Sequence, residues 1–125
     1  MHNVAIIGAG IGEQHLAGYR ALPEHFAVKA ICDLNEDRAH VIAGGDTSIA
    51  INADTLAVLD DDAIDIIDVC LPPHLHFDVT LSALRAGKHV ICEKPLVRSL
   101  AEVDALADAS TDAQRKIFPV FQYRY

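Results

Sequence analysis

Apolar positions in this chain fall into two kinds of segment that take turns from one end to the other. The first kind is a short unbroken run. Val4-Ala5-Ile6-Ile7 is apolar at every position, as a strand must be when both of its faces are buried. Runs of this kind predict strands over 3–7, 26–32, 48–51, 64–71, 89–92 and 117–123. The second kind spaces its apolar residues by three and four, which predicts helices over 14–22, 35–43, 54–59, 76–86 and from 99 to about 109. Helix ends carry their own signals. Asn35 and Asp54 stand at N-cap positions, Ser99 with Glu102 three residues on forms a capping box, and Pro23, Gly44-Gly45 and Gly87 end helices. Pro72-Pro73 stops the fourth strand, and Pro119 assigns the sixth to a sheet edge.

Strands and helices in strict alternation imply right-handed crossovers. The predicted fold is therefore α/β, a doubly wound parallel sheet of the Rossmann type, with six strands and helices on both faces. Its 125 residues make one domain with one core. That is the full strand count of a dinucleotide-binding sheet, so residues 1–125 read as a binding domain and a separate C-terminal substrate domain is expected to be absent from the chain.

Charge and cysteine content narrow the partners. Net charge is -8 and no basic patch is present, so no nucleic-acid partner is expected. The acidic run Asp60-Asp61-Asp62 has no His or Cys beside it at ligand spacing and reads as a solvated loop; no metal site is expected. Cys32, Cys70 and Cys92 are odd in number, without framework spacing, and read as buried thiols in a reducing compartment. No charged n-region precedes an apolar stretch, and no apolar run approaches the ~18 residues of a membrane span. A cytoplasmic location is expected.

The first predicted strand runs into Gly8-Ala9-Gly10-Ile11-Gly12, directly ahead of a helix. A pyrophosphate held at a helix N-terminus needs free backbone N–H groups and close approach, which glycines allow. Gly8 would make the turn and Gly10 would let the backbone meet the phosphates. The usual G-x-G-x-x-G spacing puts a third glycine at position 13, which is Glu13. Gly12 stands one residue early, so either the helix starts sooner or Gly12 does the close packing in a shifted register. Asp33 ends the second strand, 25 residues after Gly8, near the offset of the acid that binds the adenosine ribose. A carboxylate there repels a 2′-phosphate, so NAD is expected, with NADP possible because Arg38 is close by. The alternative for Asp33 is a turn residue ahead of Asn35.

Ligands of an open parallel sheet bind beyond the carboxyl ends of its strands. The fifth strand ends in Glu93-Lys94-Pro95, which sets an ammonium on the same rim as the glycine loop. Hydride leaving a carbinol exposes charge on oxygen, and a nearby ammonium stabilises it or relays the proton. Lys94 is therefore the candidate catalytic residue, and a cis Lys94–Pro95 bond would aim it.

At these residues the chain resembles the Gfo/Idh/MocA oxidoreductases, a family named for glucose–fructose oxidoreductase, inositol dehydrogenase and a rhizopine-catabolism protein. The resemblance rests on Gly8-Ala9-Gly10 with His15, Leu71-Pro72-Pro73 with His76, Gly87-Lys88-His89-Val90, Glu93-Lys94-Pro95 and the ending Phe121-Gln122-Tyr123-Arg124-Tyr125. It covers essentially the whole chain, and Glu13 is its departure. It implies a two-domain NAD(P)-dependent dehydrogenase acting on a sugar, cyclitol or related polyol. Lys94 would lie where nicotinamide and substrate meet. Glu93 would orient Lys94 or touch the nicotinamide ribose. Leu71, Pro72 and Pro73 would floor the cofactor site, with Ile11 in the phosphate loop, and His76 and Gln122 on the rim. A cap or a structural place is the alternative for His76, and packing is the expected role of His15. The family's principal proton-transfer histidine belongs to the second domain, so this chain alone is expected to bind dinucleotide, turn over little substrate, expose apolar surface and form homo-oligomers.

Two other functional classes remain open on the sequence. An S-adenosylmethionine-dependent methyltransferase also uses G-x-G-x-G with an acid after the second strand, but it offers no role for Glu93-Lys94-Pro95. A non-catalytic NAD-sensing module is the other.

Overall fold

Side chains along β1 (His2–Ile7) alternate between two separate cores, and Val4 to Ile7 are each no more than 1% exposed. Val4 and Ile6 pack with α1 (Gly12–Arg20) and α2 (Glu36–Ala43) through Leu16, Tyr19, Ala39 and Ala43. Ala5 and Ile7 pack on the other side with α3 (Thr55–Leu59), α4 (His76–Arg85) and α5 (Leu100–Ala113) through Val58, Leu59, Ala83, Leu84 and Leu106. Period-two alternation in a strand covered on both faces produces this division. The fold comes from a computed structural model that describes residues 1–120.

Five further strands complete the sheet: β2 (Phe26–Cys32), β3 (Ala50–Asn52), β4 (Ile66–Val69), β5 (His89–Cys92) and β6 (Ile117–Pro119). Their order is β3-β2-β1-β4-β5-β6, and each pairing is parallel. The chain winds outward from β1 to β3, then crosses back to lay β4 against the other side of β1. The order reverses between β1 and β4, which is where such sheets open a crevice for ligand. The doubly wound sheet with helices on both faces is the fold expected above.

Register brings the strand ends to one level. Asn52, Cys32, Ile7, Val69, Cys92 and Pro119 are partners in a single row across the sheet. The next residue of each strand therefore emerges at one edge, and Asp33, Gly8, Cys70 and Glu93 are among them. A bulge in the β1–β2 pairing between Val4 and Ala5 lets exposed Lys29 sit inside an otherwise apolar strand without shifting that row.

Element ends differ from the sequence expectation where turn chemistry competes. The segment 48–51 gives way to Ala50–Asn52 because Asp46 Oδ1 accepts from both N and Oγ of Ser48, holding that residue in a turn. β4 is shorter than 64–71, since Ile64 N bonds Asp61 O in a turn and Cys70 leads out toward the prolines. α5 runs to Ala113, past the expected 109. Ser110 and Thr111 bond within and beyond the helix, to Arg115 O and Ala107 O, and do not break it. At its start Ser99 Oγ accepts from Glu102 N, while Glu102 reaches back to Arg98 N, one residue before the expected box partner. Asn35 and Asp54 cap α2 and α3 as predicted. β6 lies at the sheet edge that Pro119 indicates; residues 121–123 of the expected sixth strand lie outside the described residues.

Asp60-Asp61-Asp62 is an exposed turn, closed by the buried Lys88 ammonium on the Asp61 and Ile64 carbonyls. On the α1 side, His15 and Tyr19 lie over Asp68 of β4, and the less covered positions are half-buried Ile91 of β5 and exposed Phe118 of β6. Ile66, Ile91 and Phe118 there line a cavity of about 540 Å³.

Candidate functional site

Between β1 and α1 the backbone turns at Gly8 with φ +105°, and Gly8 N donates to Cys32 O. A Cβ at Gly8 would stand 2.5 Å from Cys70 O, so β4 approaches the loop too closely for any side chain. A Cβ at Gly12 would meet Ile6 Cγ2 at 2.8 Å. α1 starts at Gly12, two residues before the predicted start, and that glycine lets the helix lie against β1. Both resolutions offered for the shifted glycine spacing therefore apply, and Glu13 is left exposed in the first turn. Among the described residues, no partner takes the N–H of Gly10, Ile11 or Gly12. These donors sit at the positive end of the helix dipole.

Asp33 closes one side of the loop. Its Oδ2 accepts from Ala9 N and its Oδ1 from Asn35 N, each at 2.8 Å. A carboxylate oxygen accepts more than one hydrogen bond, so both still have capacity for a diol. Gly8, Gly10, Asp33 and Arg38 face Leu71, Pro72 and Leu75 across a groove of about 600 Å³. Pro73 opens the single 3-10 turn, Pro73–Leu75, that follows.

The far end of the rim is held by buried polar groups. His76 is the first residue of α4, not its cap, and is fully buried. Its Nδ1 and Nε2 lie 2.6 Å from Pro95 O and Leu71 O, so it ties the turn after β4 to the turn after β5. A neutral imidazole donates from one nitrogen only; both contacts are hydrogen bonds together in the doubly protonated ring. Glu93 is buried and accepts Lys94 N at its Oε2, while Lys94 is exposed and its bond to Pro95 is cis. Gln122 lies outside the described residues.

Beneath this rim is a cluster that the sequence reading did not assemble. His15, the fourth residue of α1, donates from Nδ1 to Asp68 Oδ2 and from Nε2 to Glu93 Oε1, both at 2.7 Å. Tyr19, one helical turn on, donates to the same Asp68 oxygen at 2.6 Å, and Cys70 Sγ lies 3.4 Å from Asp68 Oδ1. The reach follows from register. Asp68 pairs with Ile91, so Glu93 projects on the same sheet face as Asp68, and His15 and Tyr19 share the helix face above. The hydrogen bond to Asp68 raises the His15 pKa to about 9, against the opposing effect of burial and with help from the Asp68 and Glu93 charges. Burial, then Asp68, pushes the Tyr19 phenol and the Cys70 thiol upward. The ring is thus an imidazolium between two carboxylates at neutral pH. His15, Asp68 and Cys70 bring three donor atoms within 4.8 Å of one another. One signal for the cluster was present: an aspartate in the middle of an apolar strand must find partners.

Known proteins are similar to this chain over nearly its whole length. A levoglucosan dehydrogenase of Pseudarthrobacter phenanthrenivorans is 35% identical over 98% of the chain and 33% of its own length. An inositol 2-dehydrogenase of Klebsiella pneumoniae is 33% identical over 94% of the chain and 35% of its own length. A solved levoglucosan dehydrogenase in complex with NADH is similar with a TM-score of 0.86, at 33% identity over 98% of this chain and 35% of that one. The chain thus spans about a third of the length of these relatives. The model of one family, described as an oxidoreductase family with the NAD-binding Rossmann fold, matches residues 2–121, and the chain belongs to that family, Gfo/Idh/MocA.

Proposed function

We propose that residues 1–125 form the cofactor-binding domain of an NAD(P)-dependent dehydrogenase that moves hydride between nicotinamide and a hydroxyl of a sugar, cyclitol or related polyol. One observation carries the reading: Gly8, Asp33 and Glu93 each leave the sheet directly after a common register row, so loop, acid and lysine share one rim. At about 4.8 Å between neighbouring strands, Glu93 stands roughly 10 Å from Gly8, with the switch point between them.

The chain fits a dinucleotide. The free N–H groups of Gly10, Ile11 and Gly12 and the space kept open at Gly8 suit a pyrophosphate. Asp33 accepts from the adenosine ribose and disfavours a 2′-phosphate, which supports NAD over NADP; Arg38 beside Gly10 leaves NADP accessible. Leu71, Pro72 and Pro73 form the opposite wall, and His76 holds that wall from behind. Bound nicotinamide supplies the hydride acceptor or donor. Lys94 carries the proton and stabilises oxygen charge at the substrate, and Glu93 orients it. Gln122 is proposed as a cofactor-site residue of the rim on the sequence alone. A separate substrate domain is assigned by analogy to the part of the relatives' length that this chain does not span. Three buried free thiols support a cytoplasmic location, and the apolar cavity lined by Ile66, Ile91 and Phe118 supports homo-oligomers.

Calorimetry with NADH, NADPH and S-adenosylmethionine tests the reading. NADH is expected to bind the chain and S-adenosylmethionine to give no saturable heat. Charge-assisted hydrogen bonds contribute about 1.5–3 kcal/mol, so Asp33→Ala is expected to weaken NADH by roughly tenfold to a hundredfold. An unchanged NADH-to-NADPH preference in that variant would overturn the role of Asp33, and absence of NADH binding would overturn the function.

A further inference from the structure

We propose that His15 is a positioning residue for the nicotinamide end of the site: by bridging Asp68 of β4 and Glu93, the residue that follows β5, it fixes the carboxylate that holds the Lys94 amide. The inference rests on the reading above that Lys94 faces the reactive ring.

Glu93 has two tasks, one per oxygen. Oε1 receives the His15 ring and Oε2 receives Lys94 N, so the carboxylate plane is set by His15 and in turn sets the start of the Lys94–Pro95 turn. Without the ring, Glu93 loses the ion pair at Oε1 that sets the plane of its carboxylate. His15 is itself held from the other side. Asp68 takes its Nδ1, and Tyr19 braces Asp68 at the shared oxygen. The chain of contacts runs Tyr19, Asp68, His15, Glu93, Lys94 and joins α1, β4 and the turn after β5. α1 is also the helix whose first turn presents the phosphate-binding amides. Phosphate loop and Lys94 turn are thereby tied together through one side chain, about two strand spacings apart.

The two ends of the cofactor separate this role from a general stabilising one. ADP-ribose occupies the loop and the Asp33 side but carries no nicotinamide. With the 125-residue chain, His15→Leu is expected to weaken NADH by about tenfold and ADP-ribose by less than about twofold, as loss of one charged contact at the nicotinamide end would do. Amide hydrogen exchange gives a reading without cofactor: Lys94 N–H is expected to exchange at least about tenfold faster in the variant, while Val90 N–H in β5 keeps its protection. Should His15→Leu fail to fold, His15→Gln retains a donor for one carboxylate and is expected to restore part of the NADH affinity and Lys94 protection, leaving the same comparison. Equal weakening of NADH and ADP-ribose, or a Lys94 amide indifferent to both substitutions, overturns the inference. If wild type binds neither ligand, the functional reading fails; the exchange result then still decides whether His15 holds Glu93 and Lys94.

Discussion

Removing the proton from His15 should lower the stability of this domain in a defined pH window. The folded ring titrates at about 9, chiefly because of its hydrogen bond to Asp68. An unfolded histidine titrates near ~6.5. The folded state therefore holds the proton more tightly. Its contribution is fully present below pH ~6.5, declines as pH rises from there, and is gone once pH passes about 9. The gap of about 2.5 pH units, at about 1.36 kcal/mol each, amounts to roughly 3 kcal/mol. The ring's side chain is only 14% exposed, so solvent screening takes little of that. Groups facing it are Asp68 from β4, Cys70 just after β4, Glu93 just after β5 and Tyr19 from its own helix. Burial raises the Cys70 thiol and the Tyr19 phenol out of the window, and it raises Cys92 to about 11, so none of these mimics the His15 step. Urea unfolding at pH 6, 7, 8 and 9 measures the effect. Between pH 7 and 9, wild type should lose about 1 kcal/mol per pH unit more than His15→Gln, which has nothing to titrate at that position. Parallel pH profiles for the two proteins would refute the reasoning, as would a His15 ring proton whose NMR shift titrates near 6.5.

Two further substitutions test the packing behind the site. Gly12→Ala drives a Cβ to 2.8 Å from Ile6 Cγ2 and should cost about 1–3 kcal/mol, whereas Glu13→Gly at the usual third-glycine position should cost no more than about 1 kcal/mol; denaturant midpoints in the reverse order would return the packing role to position 13. His76→Leu removes a ring donor lying between the Leu71 and Pro95 carbonyls and should cost about 1–3 kcal/mol with weaker NADH binding, measured by thermal melting and calorimetry; a fully stable variant would mean those carbonyls find other donors.

The parts of this fold legible in the sequence are those where one physical demand acts alone. Val4 to Ile7 could be read as a central strand because burial on two faces leaves no polar position, and Asn35 and Asp54 could be read as caps because their partners lie two or three residues away. The glycine loop was legible for the same reason, down to the question of what Gly12 does. Reading failed where a local bond competed with a pattern, as at Ser48 held by Asp46, or where helix continued through polar residues at Ser110 and Thr111. It failed more deeply at contacts between distant segments. His15 meets Glu93 across 78 residues, and that meeting depends on strand order and register, neither of which periodicity supplies.

Asp68 shows why the distant contact matters. It is fully buried in β4, with Ile6 and Ile91 as its register partners on either side, a place where an apolar residue would pack without any desolvation cost. Buried ion networks often add little over well-packed apolar side chains, so stability alone gives weak grounds for an acid at this position. Its hydrogen bonds supply a better one. Asp68 keeps His15 doubly protonated, and only a doubly protonated ring can donate to Asp68 and Glu93 at once. An apolar residue at position 68 would leave the ring with one carboxylate and a lower pKa. On the reading proposed above, a charge beneath the middle of the sheet thereby sets the geometry of a lysine at its edge.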